Sequence, residues 1–344
     1  MDRRDFLRDL ALGGVVAGLA PKFLGGAPQG GAAGAEGATI AAPQGGAASA
    51  GGATMAAPQG GAASAGGTTI AAPQAAPAPP ELAYIQGGSP AAITKAAIET
   101  LGGMGKFVSK GDVVMIKPNI GWDRTPELAA CTNPEVVRAL VEMCLAAGAK
   151  KVTVMDNTTN QAQRCYARSG IAAAAKAAGA DVPFVNPRRI KKMAIKGEWL
   201  KDWDVIQDFV EADKLINVPI AKHHSLCRLT IGMKNWLGAV GDPRNQLHQD
   251  LDRAMVDLAA FFKPTLTVLD AYRILVRNGP QGGRPSDTKL TKTVVAGRDY
   301  VAVEAAGASF FDILPAELIY IKLAAQKGLG RMDWEKLRVE KRTV

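Results

Sequence analysis

Asp112-Val113-Val114-Met115-Ile116-Lys117-Pro118-Asn119 decides how the rest of the chain is read. After Asp112 the apolar run is continuous, as a strand buried on both faces requires, whereas a half-solvated strand alternates. The run then passes into Lys117-Pro118-Asn119-Ile120-Gly121, so polar groups collect where the strand ends.

The same pattern recurs on either side. Ala83–Ile85 reads as a short first strand, followed by a helix from Ser89-Pro90 to Leu101, with Ser as cap and Pro in the first turn. Asn133-Pro134 opens a second helix that Gly148 closes, and Val152–Met155 is a strand ending in Asp156-Asn157. An Ala-rich helix over Ile171–Ala178, a weaker strand over Val182–Val185 and a clear strand over Lys214–Val218 follow. Helical periodicity runs from His248 to Phe262, then a strand over Leu266–Leu269 that delivers Asp270. Thr293–Ala296 is a further strand, and helices over Val301–Phe311 and Ala316–Ala325 close the order. Strands alternating with helices predict an α/β fold with a mainly parallel sheet and helices on both faces, in one domain or two packed lobes. Ligands in such sheets bind beyond the carboxyl ends of the strands.

That domain fills 81–344 only. At the N-terminus, Asp2-Arg3-Arg4-Asp5-Phe6-Leu7-Arg8 precedes a mild apolar run from Leu10 to Ala20. Position, order and flank resemble a twin-arginine signal, assigned to 1–24. The run is short for a membrane span, so membrane contact is expected only through an uncleaved signal. The implied partner is the twin-arginine export machinery, and the implied location is periplasmic or otherwise exported. Residues 25–80 repeat Ala-Pro-Gln at Pro28, Pro43, Pro58 and Pro73, fifteen apart. With one Ile or Met per period and almost no charge, the repeat cannot offset the entropy of ordering. It reads as a disordered linker.

The formal charge is +9, and the basic residues are scattered, the densest run being Arg188, Arg189, Lys191 and Lys192. Nucleic-acid binding needs a clustered basic face with groove-reading or aromatic elements, so no nucleic acid is expected. The four cysteines, Cys131, Cys144, Cys165 and Cys227, show no CxxC pair, so no ferredoxin-type cluster is expected. No phosphate loop or dinucleotide fingerprint stands in a strand–helix context.

The candidate site gathers near the strand ends. Lys117 and Asn119 follow one strand; Lys222, His223 and His224 follow the strand ending at Val218; Lys234-Asn235 and His248 come soon after. All three histidines fall between His223 and His248. Two chemistries fit. Lys117, Lys222, Lys234 and Arg244 can form an anion site for a small anionic ligand, with Asn119 and Asn235 orienting it. Lys117, Asn119 and Asn235 are then the substrate-binding set. His224 or His223 is the general base, Lys222 or Lys234 the acid or base, and His224, Lys234 and Lys222 form the catalytic set. Alternatively His223, His224, His248 and Asp270 supply imidazole and carboxylate to a divalent transition metal. Adjacent histidines on a strand point to opposite faces, so one can ligate while the other packs.

These residues carry a resemblance. Val114–Asn119, Asn217-Val218-Pro219 with Lys222 and His224, and Gly232-Met233-Lys234-Asn235-Trp236-Leu237-Gly238 with His248 resemble the motifs of the domain of unknown function 362 family. The resemblance covers Glu81–Val344 and marks membership, not activity. Some members add an iron–sulfur ferredoxin module, for which this chain lacks the cysteine string. The family often has Asp after Val-Ala-Val, where this chain has Glu304. The reading that results is an exported enzyme-like protein acting on a small anionic substrate, metal-assisted or redox-linked. Its rival is a periplasmic metal- or anion-binding accessory protein without turnover.

Overall fold

The computed structural model describes residues 78–344. The signal (1–24) and all but the last three residues of the linker (25–80) lie outside the described residues.

In chain order the elements are β1 (Leu82–Gln86), α1 (Pro90–Thr100), β2 (Val113–Pro118), α2 (Pro134–Ala146), β3 (Lys151–Val154), α3 (Ala162–Arg168), α4 (Ile171–Ala177), β4 (Ile190–Ala194), β5 (Asp202–Ile206), α5 (Gln207–Glu211), β6 (Lys214–Val218), β7 (Ile220–His224), β8 (Arg228–Thr230), α6 (Gly232–Asn235), α7 (Leu251–Phe262), β9 (Leu266–Leu275), β10 (Thr288–Gly297), α8 (Tyr300–Ala308), α9 (Ile319–Gln326) and β11 (Val339–Thr343). The central sheet runs β11-β1-β10-β9-β6-β2-β3, with β7 on β9 and β8 on β7. The pairs β2–β3, β2–β6, β6–β9, β7–β9 and β1–β11 are parallel, while β10 is antiparallel to both neighbours.

Side-chain alternation splits the core in two. Val114 and Ile116 of β2, with Ile216 of β6 and Val268 of β9, bury against α1, α2 and α4. Met115, Leu215 and Leu269 turn the other way, against α7, α8 and α9. Residues 78–344 belong to one compact unit rather than two lobes. Caps set the helix starts: Ser89 accepts from the Ala92 amide, Asn133 from Glu135 and Asp299 from Ala302.

The structure departs from the sequence reading at definite places. Val182–Val185 is not a strand; only a Thr153–Asp181 bridge forms, and Pro183 has no amide with which to extend it. The helix expected from His248 begins at Leu251, capped by Asp250, and His248 lies in the preceding 3₁₀ segment. β9 runs on to Leu275 because β10 pairs along it, so Asp270 stands mid-strand, not at a strand end. The β4–β5 hairpin and the edge strand β11 escaped the pattern because Lys191, Lys192 and Glu340-Lys341-Arg342 interrupt their apolar residues. Among the described residues no helix is long and apolar enough to cross a membrane.

Candidate functional site

A cleft of about 460 Å³ opens beyond the carboxyl ends of β2, β3 and β7. Lys117, Asn119, Lys222, His224, Lys234, Asn235, Arg244 and His248 all line it. The sequence-derived cationic set is therefore brought together. His223 and Asp270 are not among the lining residues.

The reason lies in strand parity. Lys117 follows Met115 on the α7 face of β2, and its register partner Asn217 follows Leu215 on the same face of β6. The short helix α6 closes over them. Asn235 donates through Nδ2 to Asn217 Oδ1 (2.9 Å) and Lys117 O (3.1 Å), and Asn217 Nδ2 donates to Gly232 O (2.9 Å). Beneath α6, the fully buried Glu304 accepts the Met233 amide at 2.8 Å. Glu304 thus holds the helix that carries Lys234 and Asn235.

The three lysines differ in their partners. Lys117 Nζ donates to Asp156 Oδ1 (2.6 Å), Pro118 O (2.9 Å) and Asn235 Oδ1 (3.0 Å). Three acceptors match the three protons of an ammonium. Burial pushes the Lys117 ammonium down and the Asp156 carboxyl up, and their mutual attraction opposes both shifts. With every donor engaged, the pair is charged and belongs to the wall. This corrects the expectation that Lys117 offers a free cation to substrate. Asn235 is likewise fully engaged, because its Oδ1 accepts from Lys117 and from Asn119 Nδ2 (3.3 Å).

Lys222 Nζ donates to Ala130 O and to Asn119 Oδ1 (3.2 Å), which leaves one bonding direction unfilled. Burial lowers its pKa to about 7, and the nearby Lys234 charge pushes the same way. A neutral amine with two donated hydrogen bonds keeps its lone pair, which is what a base needs.

Lys234 is 9% exposed, lines the cleft, and has no hydrogen-bond or ion-pair partner among the described residues. Burial lowers its pKa.

His224 Nδ1 accepts the Leu226 amide at 3.1 Å. That bond leaves the proton on Nε2. Burial and the neighbouring lysines push its pKa to about 3, so the ring is neutral. His224 therefore has its Nδ1 lone pair occupied and presents an Nε2 proton rather than a free acceptor.

The expected metal set does not assemble. His223 Nδ1 accepts the Gly279 amide (3.1 Å), and both Asp270 oxygens are taken by the amides of Asn133 (2.7 Å) and Tyr272 (2.9 Å). Only His224 and His248 of the four reach the cleft, and among the described residues no group of three or more His, Cys, Asp or Glu is placed to hold a metal.

Some site residues were not assigned from sequence. Asp156, partner of Lys117, follows β3 by the same strand-end rule and could have been found by it. Trp122 had no sequence signal; it lines the cleft with Lys222 Nζ 5.9 Å from its ring centre. Arg244, named earlier as a cleft cation, binds the carbonyls of Asn157 (2.7 Å) and Thr158 (2.9 Å) and pairs with Asp242 (3.0 Å). It fastens the rim and contributes little free charge.

Known proteins place the chain in context. It is 28% identical over 253 residues to the thylakoid-associated protein sll1697 of Synechocystis, covering 71% of this chain and 76% of that protein. The lactate racemase apoprotein of Thermoanaerobacterium thermosaccharolyticum superposes with a TM-score of 0.42 at 13% identity, over 66% of this chain and 56% of the racemase chain. The family model described as "Domain of unknown function (DUF362)" matches residues 114–309, more than half the chain and the whole stretch that builds the cleft, and the chain belongs to that family.

Proposed function

We propose that this cleft takes a small anionic substrate and moves a proton on it. Lys234 carries the proposal, as a nearly buried amine that faces the cleft with no hydrogen-bond or ion-pair partner among the described residues. Burying its charged form is costly unless something pairs with it. An anionic ligand supplies that pair. Lys222, with its lowered pKa, takes the proton from the substrate, and Asn119 orients the amine through Oδ1. His224 donates from Nε2 to an oxygen of the ligand. The reaction class is proton abstraction from carbon beside a carboxylate, with Lys234 holding the negative charge that develops.

Exchange of carbon-bound hydrogen for deuterium tests this. Small carboxylates are incubated with the protein in D₂O and followed by ¹H NMR. We expect exchange with the native protein, and none with Lys222→Met or Lys234→Met at an unchanged fold. Ligand-induced stabilisation without exchange would instead support the rival reading, an anion-binding accessory protein without turnover.

Export by the twin-arginine route is part of the same proposal. It rests on Arg3-Arg4 and the apolar run after them. Replacing both arginines by lysine should leave the protein in the cytoplasm, and unchanged export would overturn it.

A further inference from the structure

We propose that the ligand is an aromatic monocarboxylate, bound with its carboxylate at Lys234 and its ring against Trp122. This rests on the anion-site reading above and narrows it to one chemical class.

Charge comes first. Four cations line the cleft, Lys117, Lys222, Lys234 and Arg244, together with two carboxylates, Asp156 and Asp242. Lys117 pairs with Asp156 and Arg244 with Asp242. Only Lys222 and Lys234 remain. Burial lowers the pKa of both, that of Lys222 to about 7, so the cleft offers at most two unpaired positive charges and fewer than two near neutral pH. That balances a monoanion. A phosphate monoester brings a charge of about −1.5 to −2 and is usually met by an arginine fork or the start of a long helix. Here the Arg244 fork is filled by the Asn157 and Thr158 carbonyls, and α6 has four residues.

Shape comes second. Trp122, Leu226, Leu237 and Pro280 give the cleft an apolar wall beside the lysines. Leu226, at the turn between β7 and β8, is 69% exposed, so a large apolar side chain stands open at the mouth. The cleft volume is that of about fifteen waters at ~30 Å³ each, enough for a ring and its carboxylate. An aromatic face against Trp122 adds a ring contact that an aliphatic acid of the same charge lacks.

The test is thermal melting of the full chain with four probes: phenylacetate, acetate, inorganic phosphate and neutral phenylacetamide. At about five times its Kd, phenylacetate should raise Tm by about 2–4 °C, well above the other three at equal concentration. Trp122→Ala should weaken phenylacetate about tenfold and leave acetate unchanged. Trp122→Phe, which keeps a ring, should restore most of that loss and guards against a folding defect. Lys234→Met should abolish the response to both carboxylates. If phosphate stabilises as well as phenylacetate, or if Trp122→Ala leaves phenylacetate unaffected, the aromatic-carboxylate assignment fails while the anion cleft stands. If phenylacetamide matches phenylacetate, or no anion shifts Tm, the anion cleft fails too.

Discussion

Lys117 Nζ lies 2.6 Å from Asp156 Oδ1, with the two side chains 1% and 2% exposed. The pair joins the ends of β2 and β3 under the cleft, and Asp156 Oδ2 also accepts the Ile120 amide at 2.6 Å. Removing one partner strands the other charge out of water. Lys117→Met should therefore cost about 3–5 kcal/mol by urea unfolding. The double variant Lys117→Met, Asp156→Leu should recover most of that loss, because no unpaired charge remains. Equal losses in the single and double variants would mean that the hydrogen bonds to Pro118 and Asn235, not the ion pair, hold the strand ends.

Gly238 sits against the same pair. A Cβ added there would stand 1.9 Å from Asp156 Oδ1 and 2.6 Å from Lys117 Nζ. Neither atom can retreat without giving up its partner. Gly238→Ala should thus destabilise by about 1–3 kcal/mol, as overpacking does. Gly105→Ala is the control, because nothing lies within 4 Å of its added methyl. It should change stability by no more than about 0.5 kcal/mol. Similar losses at both positions would point to backbone preference rather than to the buried pair.

How far the sequence could be read follows from what each residue touches. The apolar runs of β2, β6 and the start of β9 were legible because burial on both faces leaves no room for polar residues. The cleft cations were legible because they follow those runs. Which lysine is free was not, because the partners are far apart in sequence: Lys117 meets Asp156 across 39 positions and Asn235 across 118. The same holds for His224, whose Nδ1 lone pair is taken by the amide of Leu226 two residues on, a bond that only the hairpin turn creates. Asp270 was misplaced because strand length depends on pairing with β10, which a single run of β9 cannot reveal.

Glu304 makes a prediction of opposite sign to that of an ordinary carboxylate. Burial pushes its pKa up to about 8 from the usual 4.5. The folded state therefore holds a proton that the unfolded state has released over that range. Its contribution to stability is complete below about pH 4.5 and is lost as pH rises through 8. Glu304→Gln keeps a neutral acceptor for the Met233 amide and cannot ionise. Between pH 6.5 and 8, native stability minus that of Glu304→Gln should fall by up to about 1.4 kcal/mol per pH unit. A flat difference would show that Glu304 is already ionised in the fold.

Lys222 carries the last prediction, because its protonation decides whether the cleft has a base. Burial, aided by the Lys234 charge, brings its pKa to about 7. The amine is charged below that value and neutral above it, so deuterium exchange on a bound carboxylate should rise through pH 7 and level off in alkali. The same shift affects stability. A lysine depressed in the fold favours the unfolded state below pH 7, and this penalty disappears as pH rises toward the unfolded value near 10.5. The titration can be read without substrate, from the Cε signals of ¹³C-lysine-labelled protein, where Lys222→Met identifies the resonance by deleting it. Lys234→Met should move the midpoint upward, since it removes a neighbouring positive charge while leaving the burial in place. A Lys222 midpoint near 10 in the native protein would remove the base from the proposed chemistry, and the cleft would then stand as a binding site alone.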